Sequence, residues 1–249
     1  MIYWLQKVLE PVFSWKGIGV EMKKYDVFLF DADGTLFDFN LAEACAFRTV
    51  YEGCGFSYSD DILRRYSEIN EQLWKSFEKA EVTINEIKTL RFVRLFNELG
   101  IHHDEYDFND RYVVELGKGA FLVDGAKEIC EEITKPGKKI YIITNGITKV
   151  QVARLGYSTI KEYVLDIFIS ELIGFQKPDV RYFEHVFSNL PQVDKDRILV
   201  VGDSLTADIQ GGINAGLDTC WFNEKNAENN SGIDPTYEVH KLSELTQFI

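Results

Sequence analysis

Residues 25–35 read YDVFLFDADGT, and this stretch decides the expected fold. The run at 25–30, apolar except for Asp26, is typical of a β-strand that is buried on both faces. It ends abruptly in two carboxylates and a glycine, Asp31, Asp33 and Gly34. We therefore expect a central strand of a parallel sheet, with acidic side chains at its carboxyl end.

The same pattern of a short apolar run recurs along the chain. Further strands are predicted at 139–143, 166–169, 197–201 and 217–222. Helices are predicted at 124–134, 179–190 and 205–215. Strands that alternate with helices imply right-handed crossovers and a mainly parallel sheet. The predicted fold class is α/β, with a Rossmann-like, mainly parallel sheet flanked by helices.

Residues 41–118 differ, because they contain no convincing strand and carry apolar side chains at helical spacing. Thr83 and Glu86 form a capping-box pattern at the start of one helix, and Gly100 marks its end. These features predict an all-helical cap domain inserted after the first strand. The expected boundaries are 22–38 together with 119–249 for the α/β core domain, and 39–118 for the helical cap domain.

Residues 1–21 do not fit this plan. They are fairly apolar, but Pro11 interrupts them and no cleavage site typical of a signal peptide follows. They therefore predict neither a signal peptide nor a membrane span. Met22 leads straight into the first strand and is an alternative start. We treat residues 1–21 as an N-terminal extension of doubtful status, either a start-site artefact or a loosely packed segment.

Composition and charge restrict the partners. The formal net charge of -13 argues against a nucleic acid polymer or an anionic membrane, because both require clustered Lys and Arg. Any anionic substrate, such as a phosphate, must then be held by local donors, because the overall charge repels it. The four cysteines, Cys45, Cys54, Cys130 and Cys220, show no metal-binding spacing. We expect reduced thiols in a cytoplasmic protein, rather than a disulfide in a secreted one. Both a monomer and a homodimer remain open.

Asp31 and Asp33 carry the first chemical signal. Side chains two residues apart in an extended chain point to the same side. Carboxylates this close repel each other unless a cation lies between them or one holds a proton. The pair therefore suits a Mg²⁺ site, and also a nucleophile with an acid/base partner. Acidic pairs of this kind are also common as caps and turns.

Two further polar clusters follow predicted strands. Thr144, Asn145 and Gly146 offer a hydroxyl and backbone N–H groups, which suit a phosphate cradle or an ordinary helix N-cap. Pro178 fits the first turn of the next helix and holds Lys177 extended before it. A lysine fixed there can neutralise phosphate charge, although a solvated surface lysine is the alternative.

The last cluster contains Asp203, at a strand end, and Asp208, one helical turn later. This spacing suits a hard cation held directly by one carboxylate and supported by the other, or ordinary acids at a helix N-terminus. All four clusters follow the carboxyl ends of predicted parallel strands, where α/β sheets bind ligands. We therefore expect them to converge around one divalent ion at one rim of the sheet.

In their order along the chain, these clusters resemble the four motifs of the haloacid dehalogenase superfamily. The matching stretches are DADGT at 31–35, TNG at 144–146, KPD at 177–179 and GDSLTAD at 202–208, within a resemblance spanning about residues 25–222. The resemblance implies a Mg²⁺-dependent hydrolase of small phosphorylated metabolites that works through an aspartyl-phosphate intermediate. Asp31 would attack phosphorus, and Asp33 would protonate the leaving oxygen and later activate water.

The resemblance also implies the binding groups. Thr144 and Lys177 would hold the transferring phosphoryl group, with help from the N–H groups of Asn145 and Gly146. Mg²⁺ would be bound by the residues Asp31, Asp33 (through its backbone carbonyl) and Asp203, supported by Asp208.

The helical insert resembles the caps of phosphoglycolate phosphatases, β-phosphoglucomutases and dehalogenases, but Asp33 argues against a dehalogenase. Residues 211–223, GGINAGLDTCWFN, and the TNG-x-T segment are similar to house-cleaning pyrimidine 5′-nucleotidases. The resemblance thus predicts a 5′-nucleotidase for pyrimidine nucleoside monophosphates. The alternatives are a phosphatase for phosphoglycolate or a sugar phosphate, a phosphomutase, or a catalytically idle binding module.

The cap is expected to exclude water and to contact the leaving group of the substrate. One of its aromatic residues could stack on a nucleobase, but most should form the cap core: Phe47, Tyr51, Phe56, Tyr58, Tyr66, Trp74 and Phe77. Residues 36–40, LFDFN, are better candidates for substrate contact because they border the first motif. His102 and His103 are expected to be solvated.

Overall fold

The computed structural model describes residues 23–249, so the predicted N-terminal extension, residues 1–21, lies outside the described chain. At its centre is a six-stranded parallel sheet with the order β3-β2-β1-β4-β5-β6. The strands are β1 (Val27–Phe30), β2 (Lys139–Thr144), β3 (Val164–Ile169), β4 (Ile198–Gly202), β5 (Asp218–Phe222) and β6 (Tyr237–Val239). The predicted α/β class is confirmed. The sequence pattern did not indicate β6, which has three residues and only one buried side chain.

Strand β1 lies in the middle of the sheet because all four of its side chains are apolar and buried. It pairs with β2 on one side and with β4 on the other, which places Phe30 beside both Ile142 and Val201. The backbone N–H of Asp31 then donates to the carbonyl of Val201 at 2.8 Å. The chain therefore leaves the sheet at Asp31, in the crevice where the strand order reverses and where open α/β sheets bind ligands.

Helices cover both faces of the sheet, and alternate residues of β1 serve the two faces. Phe28 and Phe30 pack with α5 (Ala126–Thr134) and with a C-terminal 3₁₀ segment (Leu242–Phe248). Val27 and Leu29 pack on the other side, against α8 (Val180–Asn189) and α9 (Gln210–Ala215). The remaining helices of this part are α6 (Thr148–Tyr157) and α7 (Ser170–Ile173), and a turn of π-helix (Leu205–Ile209) precedes α9.

Four helices occupy the predicted insert. They are α1 (Phe39–Gly53), α2 (Asp60–Glu78), α3 (Ile84–Leu99) and α4 (Glu105–Lys118), and residues 39–118, all of them described, contain no strand. Thr83 and Glu86 form the expected capping box, and Gly100 ends α3 with φ of 64°. The division into core and cap domains stays a prediction. The hydrophobic cluster of these helices also includes Ile147 and Val150, at the start of α6, and so crosses the expected boundary.

The aromatic side chains of the insert mostly form its core, as expected; Phe47 and Tyr66, for example, are fully buried and stacked 4.6 Å apart. The expectation that His103 is solvated is wrong. Its ring is half-buried, lies edge-on to Phe56 with the ring centroids 5.6 Å apart, and places Nε2 3.6 Å from Cys54 Sγ. The turn after α3 folds back onto the aromatic cluster of the insert. The polarity of the His103 side chain alone does not predict this path of the chain.

The four cysteines are free thiols. Among the helices of residues 23–249, none has both the length and the apolar composition needed to cross a bilayer.

Candidate active site

The carboxyl ends of β1, β2 and β4 meet at one rim of the sheet, above a cavity of about 220 Å³. All the site residues predicted from the sequence line this cavity: Asp31, Asp33, Thr144, Asn145, Gly146, Lys177, Asp203 and Asp208. Residues separated by more than 170 positions in the chain therefore converge as expected. The parallel register explains this for the motifs that directly follow β1, β2 and β4, whose carboxyl ends lie at the same edge. Lys177 differs from the expectation, because helix α7 separates it from the end of β3.

Lys177 lies at the centre of the charged groups. Its Nζ is 2.6 Å from Asp31 Oδ1, 2.6 Å from Asp208 Oδ1 and 2.8 Å from the carbonyl oxygen of Ile143. Burial alone would lower the pKa of this ammonium group, but the carboxylates of Asp208 and Asp31 raise it overall. Lys177 is thus a fixed cation beside the expected nucleophile, which excludes the alternative of a solvated lysine.

Asn145 holds the backbone of Lys177. Its side-chain Nδ2 donates to the carbonyl of Lys177 at 2.9 Å, and its Oδ1 accepts from the N–H of Lys177 at 2.9 Å. The sequence had suggested that Asn145 offers its backbone N–H to a phosphate or caps a helix, and had not indicated this contact with Lys177. Pro178 does not lie in the first turn of α8, contrary to expectation, because the side chain of Asp179 accepts from the N–H of Arg181 and caps the helix after the proline.

Thr144 is buried at the end of β2, and its hydroxyl accepts a hydrogen bond from the N–H of Gly146 at 3.0 Å. The alternative that Thr144 or Asn145 caps a helix is wrong, because α6 begins only at Thr148 and has no side-chain cap from its own flank. Instead, Glu171 Oε2 accepts from the N–H of Thr148 at 2.8 Å. Neither Thr144 nor Asn145 is therefore used as a helix cap, and both line the cavity.

The carboxylates of Asp31, Asp203 and Asp208 can each place one oxygen within 4.8 Å of the others. Oxygen ligands of this kind are those that hard divalent cations such as Mg²⁺ prefer. Gly34 makes the arrangement possible: its φ is 85°, and a Cβ there would lie 2.6 Å from Asp203 Oδ2. The donor set therefore fits Mg²⁺.

The protonation of these acids also depends on a cation. Burial raises the pKa of Asp31, Lys177 opposes this shift, and the charge of Asp208 adds to it. Asp203 is exposed to the cavity, and desolvation by the surrounding protein, together with the charge of Asp208, raises its pKa to about 7. Three carboxylates share one ammonium group, so a divalent cation would keep them ionised.

Asp33 lines the same cavity, and helix α6 binds both of its carboxylate oxygens. Gln151 Nε2 donates to Oδ2 at 2.5 Å, and Arg154 Nη1 donates to Oδ1. Sequence reasoning missed both partners. The only available signal was their spacing of three on the helix that follows the TNG motif, and this spacing alone does not reveal that polar side chains are buried.

The helical insert closes the cavity from the other side with Phe39, Trp74 and Glu78. Phe39 belongs to the segment 36–40 that we expected at the site. Glu78 was not identified from the sequence. Its Oε2 accepts from Thr206 Oγ1 at 2.6 Å and so links the insert to the turn of π-helix after β4.

A wider groove of about 710 Å³ lies beside this cavity and shares Phe39 and Asp203 with it. It runs along Trp221 towards Lys225 at the end of β5. The site therefore combines a small chamber that contains charged side chains with a larger neighbouring groove.

Residues 25–216 match the family model of haloacid dehalogenase-like hydrolases. Fold, motif order and site agree with this match, and the chain belongs to that family.

Three relatives extend the comparison. The chain is 42% identical over 224 residues to the HAD-hydrolase YfnB of Bacillus subtilis (strain 168), covering 90% of this chain and 95% of that protein. It is 36% identical over 221 residues to the pyrimidine 5′-nucleotidase PynA of Streptococcus pneumoniae, covering 89% and 93%. It is 30% identical over 226 residues to the pyrimidine 5′-nucleotidase YjjG of Escherichia coli, covering 91% and 98%.

A crystal structure of YfnB bound to magnesium, which reveals interdomain movement in that protein, matches this chain with a TM-score of 0.84 and 41% identity. The match covers 90% of this chain and 97% of that one. The resemblance predicted from the sequence, to the superfamily and to its pyrimidine 5′-nucleotidases, is confirmed.

Proposed function

We propose that this hydrolase is a phosphomonoesterase that forms an aspartyl-phosphate on Asp31 and acts on nucleoside monophosphates, with pyrimidine nucleotides as the preferred class. One observation carries the proposal: Lys177 lies between Asp31 and Asp208 in a cavity that also contains Asp203 and a firmly held Asp33. Nucleophile, cation, acid and metal ligands are thus in one chamber.

The chemistry follows from these positions. A carboxylate oxygen of Asp31 forms a bond to phosphorus while the bond to the ester oxygen breaks, and Asp33 gives its proton to that leaving oxygen. Water then attacks phosphorus and gives a proton to Asp33, the bond between phosphorus and Asp31 breaks, and inorganic phosphate leaves. Thr144 and Lys177, with the N–H groups of Asn145 and Gly146, would balance the charge of the phosphoryl group.

Asp31, Asp203 and the backbone carbonyl of Asp33 would hold Mg²⁺, with Asp208 in support. When bound, the ion supplies positive charge that neutralises the phosphoryl oxygens and keeps the nucleophile ionised. The oxygen-only donor set of this chain supports this assignment, as does the magnesium in the YfnB crystal.

The nucleotide class is supported by two observations. The chamber is closed by the rings of Phe39 and Trp74, which offer flat surfaces to a base, and the adjoining groove adds room for a leaving group larger than a triose. The relatives PynA and YjjG are pyrimidine 5′-nucleotidases. The cytoplasmic location, and the choice between monomer and homodimer, stay predictions from the sequence.

A phosphatase screen with Mg²⁺ across nucleoside monophosphates, sugar phosphates and phosphoglycolate tests the proposal. We expect the highest kcat/KM on pyrimidine nucleotides and a loss of more than about 10³-fold in Asp31→Asn. Asp26→Asn, at the opposite end of β1, is the matched control and should retain activity within about twofold. Activity confined to sugar phosphates would eliminate the nucleotidase assignment. Equal activity of Asp31→Asn and wild type would eliminate the mechanism.

A further inference from the structure

Helix α6 carries two buried polar side chains that the proposed chemistry leaves without a task. Gln151 is 2% exposed and Arg154 is 0% exposed. Since they are three residues apart, they lie on the same face of the helix. A buried guanidinium is unfavourable unless an anion pairs with it. Among residues 23–249, the carboxylate within ion-pair distance of Arg154 is that of Asp33.

The two side chains divide the carboxylate of Asp33 between them, since Gln151 binds Oδ2 and Arg154 binds Oδ1. Rotation of the carboxylate would break at least one of these bonds. A proton on one oxygen leaves the other oxygen bound, so the group keeps its orientation both as an acid and as a base. Orientation of this kind is what a group that acts on two successive proton transfers requires.

The surroundings keep both side chains in place. The guanidinium of Arg154 lies over the rings of Phe37 and Phe39, 5.6 and 5.9 Å from their centroids. Gly146 leaves room for the amide of Gln151, because a Cβ on Gly146 would overlap that amide. The TNG glycine therefore has a second purpose besides its N–H group.

Both side chains border a cavity of only about 20 Å³, which accommodates no more than one water molecule. No part of a phosphate ester or a nucleobase fits there. Neither side chain lines the cavity of about 220 Å³, so Gln151 and Arg154 influence the reaction through the groups that they hold, above all the carboxylate of Asp33, and not by contact with the substrate.

We propose that Gln151 and Arg154 are positioning residues that fix the acid–base carboxylate of Asp33 towards the leaving oxygen. This inference rests on the proposed phosphomonoesterase function. It assigns α6 a task that the four motifs do not contain.

The dependence on the leaving group tests the inference. kcat/KM covers the steps up to formation of the aspartyl-phosphate, in which an alkoxide needs the proton of Asp33 whereas p-nitrophenolate leaves without one. Arg154→Ala and Gln151→Ala should therefore lower kcat/KM by about 10- to 100-fold on the best alkyl phosphate substrate of the wild type. On p-nitrophenyl phosphate the loss should stay below about threefold. Lys149→Ala, exposed on the same helix, is the matched control.

Two further variants separate positioning from a general loss of structure. In an Asp33→Asn background, Arg154→Ala should have no additional effect on alkyl phosphates, because its effect passes through Asp33. Arg154→Lys keeps the charge and should restore part of the activity. Equal losses on both substrates in these variants, or full additivity with Asp33→Asn, would overturn the inference while leaving the proposed function intact. A wild type that hydrolyses no phosphate ester would instead overturn the proposed function, and the inference with it.

Discussion

The rim of the sheet and the helical side of the cavity differ in what they contribute. At the rim, fixed charges are packed tightly: Lys177 is enclosed by Asp31 and Asp208 at 2.6 Å. On the helical side, Phe39 and Trp74 contribute ring surface beside the carboxylate of Glu78. Polar bonds to the sheet domain include those of Thr206 with Glu78, Lys88 with Glu171, and Gln176 with the carbonyl of Phe77. Under the proposed function, the rim would stabilise the charge of the phosphoryl group, which all substrates share. The helical side would contact the leaving group, which varies between substrates.

The two sides of the cavity should respond differently to substitution. Changes at the rim should reduce turnover of every phosphate ester, because they alter the stabilisation of the phosphoryl group itself. Changes on the helical side should instead alter KM and the preference between substrates, since they affect the leaving group and access.

Among the substitutions that compare the two sides of the cavity, the largest effect is expected for Lys177→Met. It should lower kcat on all substrates by about 10²- to 10³-fold, the usual loss when one preorganised charge donor is removed. It also leaves the buried carboxylates of Asp31 and Asp208 without their ammonium partner, which should cost about 3 kcal/mol of folding stability in metal-free protein. Thermal unfolding with and without Mg²⁺ would show this cost and its partial recovery with the ion.

Lys135→Met is the control for Lys177→Met, because Lys135 is exposed and pairs with Glu132 on the surface. It should change neither kcat nor unfolding temperature appreciably. A Lys177→Met enzyme with near-normal kcat would contradict the view of the rim as the catalytic region.

Trp74→Ala tests the helical side of the cavity. Loss of a stacking surface should raise KM for nucleoside monophosphates about tenfold, while kcat/KM for p-nitrophenyl phosphate changes much less. Tyr106→Ala serves as control, since Tyr106 is 64% exposed on α4 and does not line the cavity. An equal loss of kcat/KM on all substrates would show that Trp74 supports the structure of the rim and does not stack on the base.

The rim could be predicted from the sequence because its two signals are local. Three of the four motifs directly follow a buried apolar strand, as Asp31 follows β1, and parallel strands end at one edge regardless of how far apart they lie in the chain. The residues that hold Asp33 lack such a signal. Gln151 and Arg154 lie 118 and 121 positions from Asp33, on a helix whose buried face can be recognised only when the chain is folded.

The same limit applies to the insert. Its helices and the capping box of Thr83 and Glu86 were predictable from local spacing. Which of its aromatic side chains reaches the cavity was not, because Trp74 and Phe77 lie on the same helix and repeat the same apolar pattern. One lines the chamber and the other is in the core. The partial burial of His103 among aromatic rings could likewise not be predicted from the sequence, since it depends on the path of the turn after α3.

The pH dependence of Mg²⁺ binding provides a third test, again at the rim. In the metal-free protein the pKa of Asp203 is raised to about 7. Protons therefore compete with Mg²⁺ below that pH, and affinity should fall by about tenfold per pH unit as pH decreases from 7. The sign for stability is opposite: a raised carboxyl pKa destabilises the metal-free fold at high pH and is relieved as pH falls. Calorimetric titration measures the Mg²⁺ affinity at pH 8 and pH 6, and thermal unfolding measures the stability with and without the ion at the same pH values. An equal Mg²⁺-induced shift in unfolding temperature at pH 8 and pH 6 would contradict the assignment of Asp203 as a ligand.

The smallest effect is expected at the contact between the insert and the sheet domain. Lys88 Nζ lies 2.6 Å from Glu171 Oε1, and both side chains are 23% exposed. Lys88→Ala should raise KM about two- to threefold without lowering kcat. The effect is small because a partly exposed ion pair contributes no more than about 1 kcal/mol to the contact between the insert and the sheet domain. Lys88 is the better target of the two, since Glu171 also accepts from the N–H of Thr148 and its loss would disturb α6.

Arg65→Ala is the matched control for Lys88→Ala, because the ion pair of Arg65 with Glu98 lies entirely within the insert. It should leave KM unchanged. High salt should shrink the difference between wild type and Lys88→Ala, since screening weakens the ion pair in the wild type. If Lys88→Ala instead reduced kcat on p-nitrophenyl phosphate as strongly as on nucleotides, the contact would belong to the catalytic arrangement, and the separation between a charged rim and a substrate-reading insert would fail at this point.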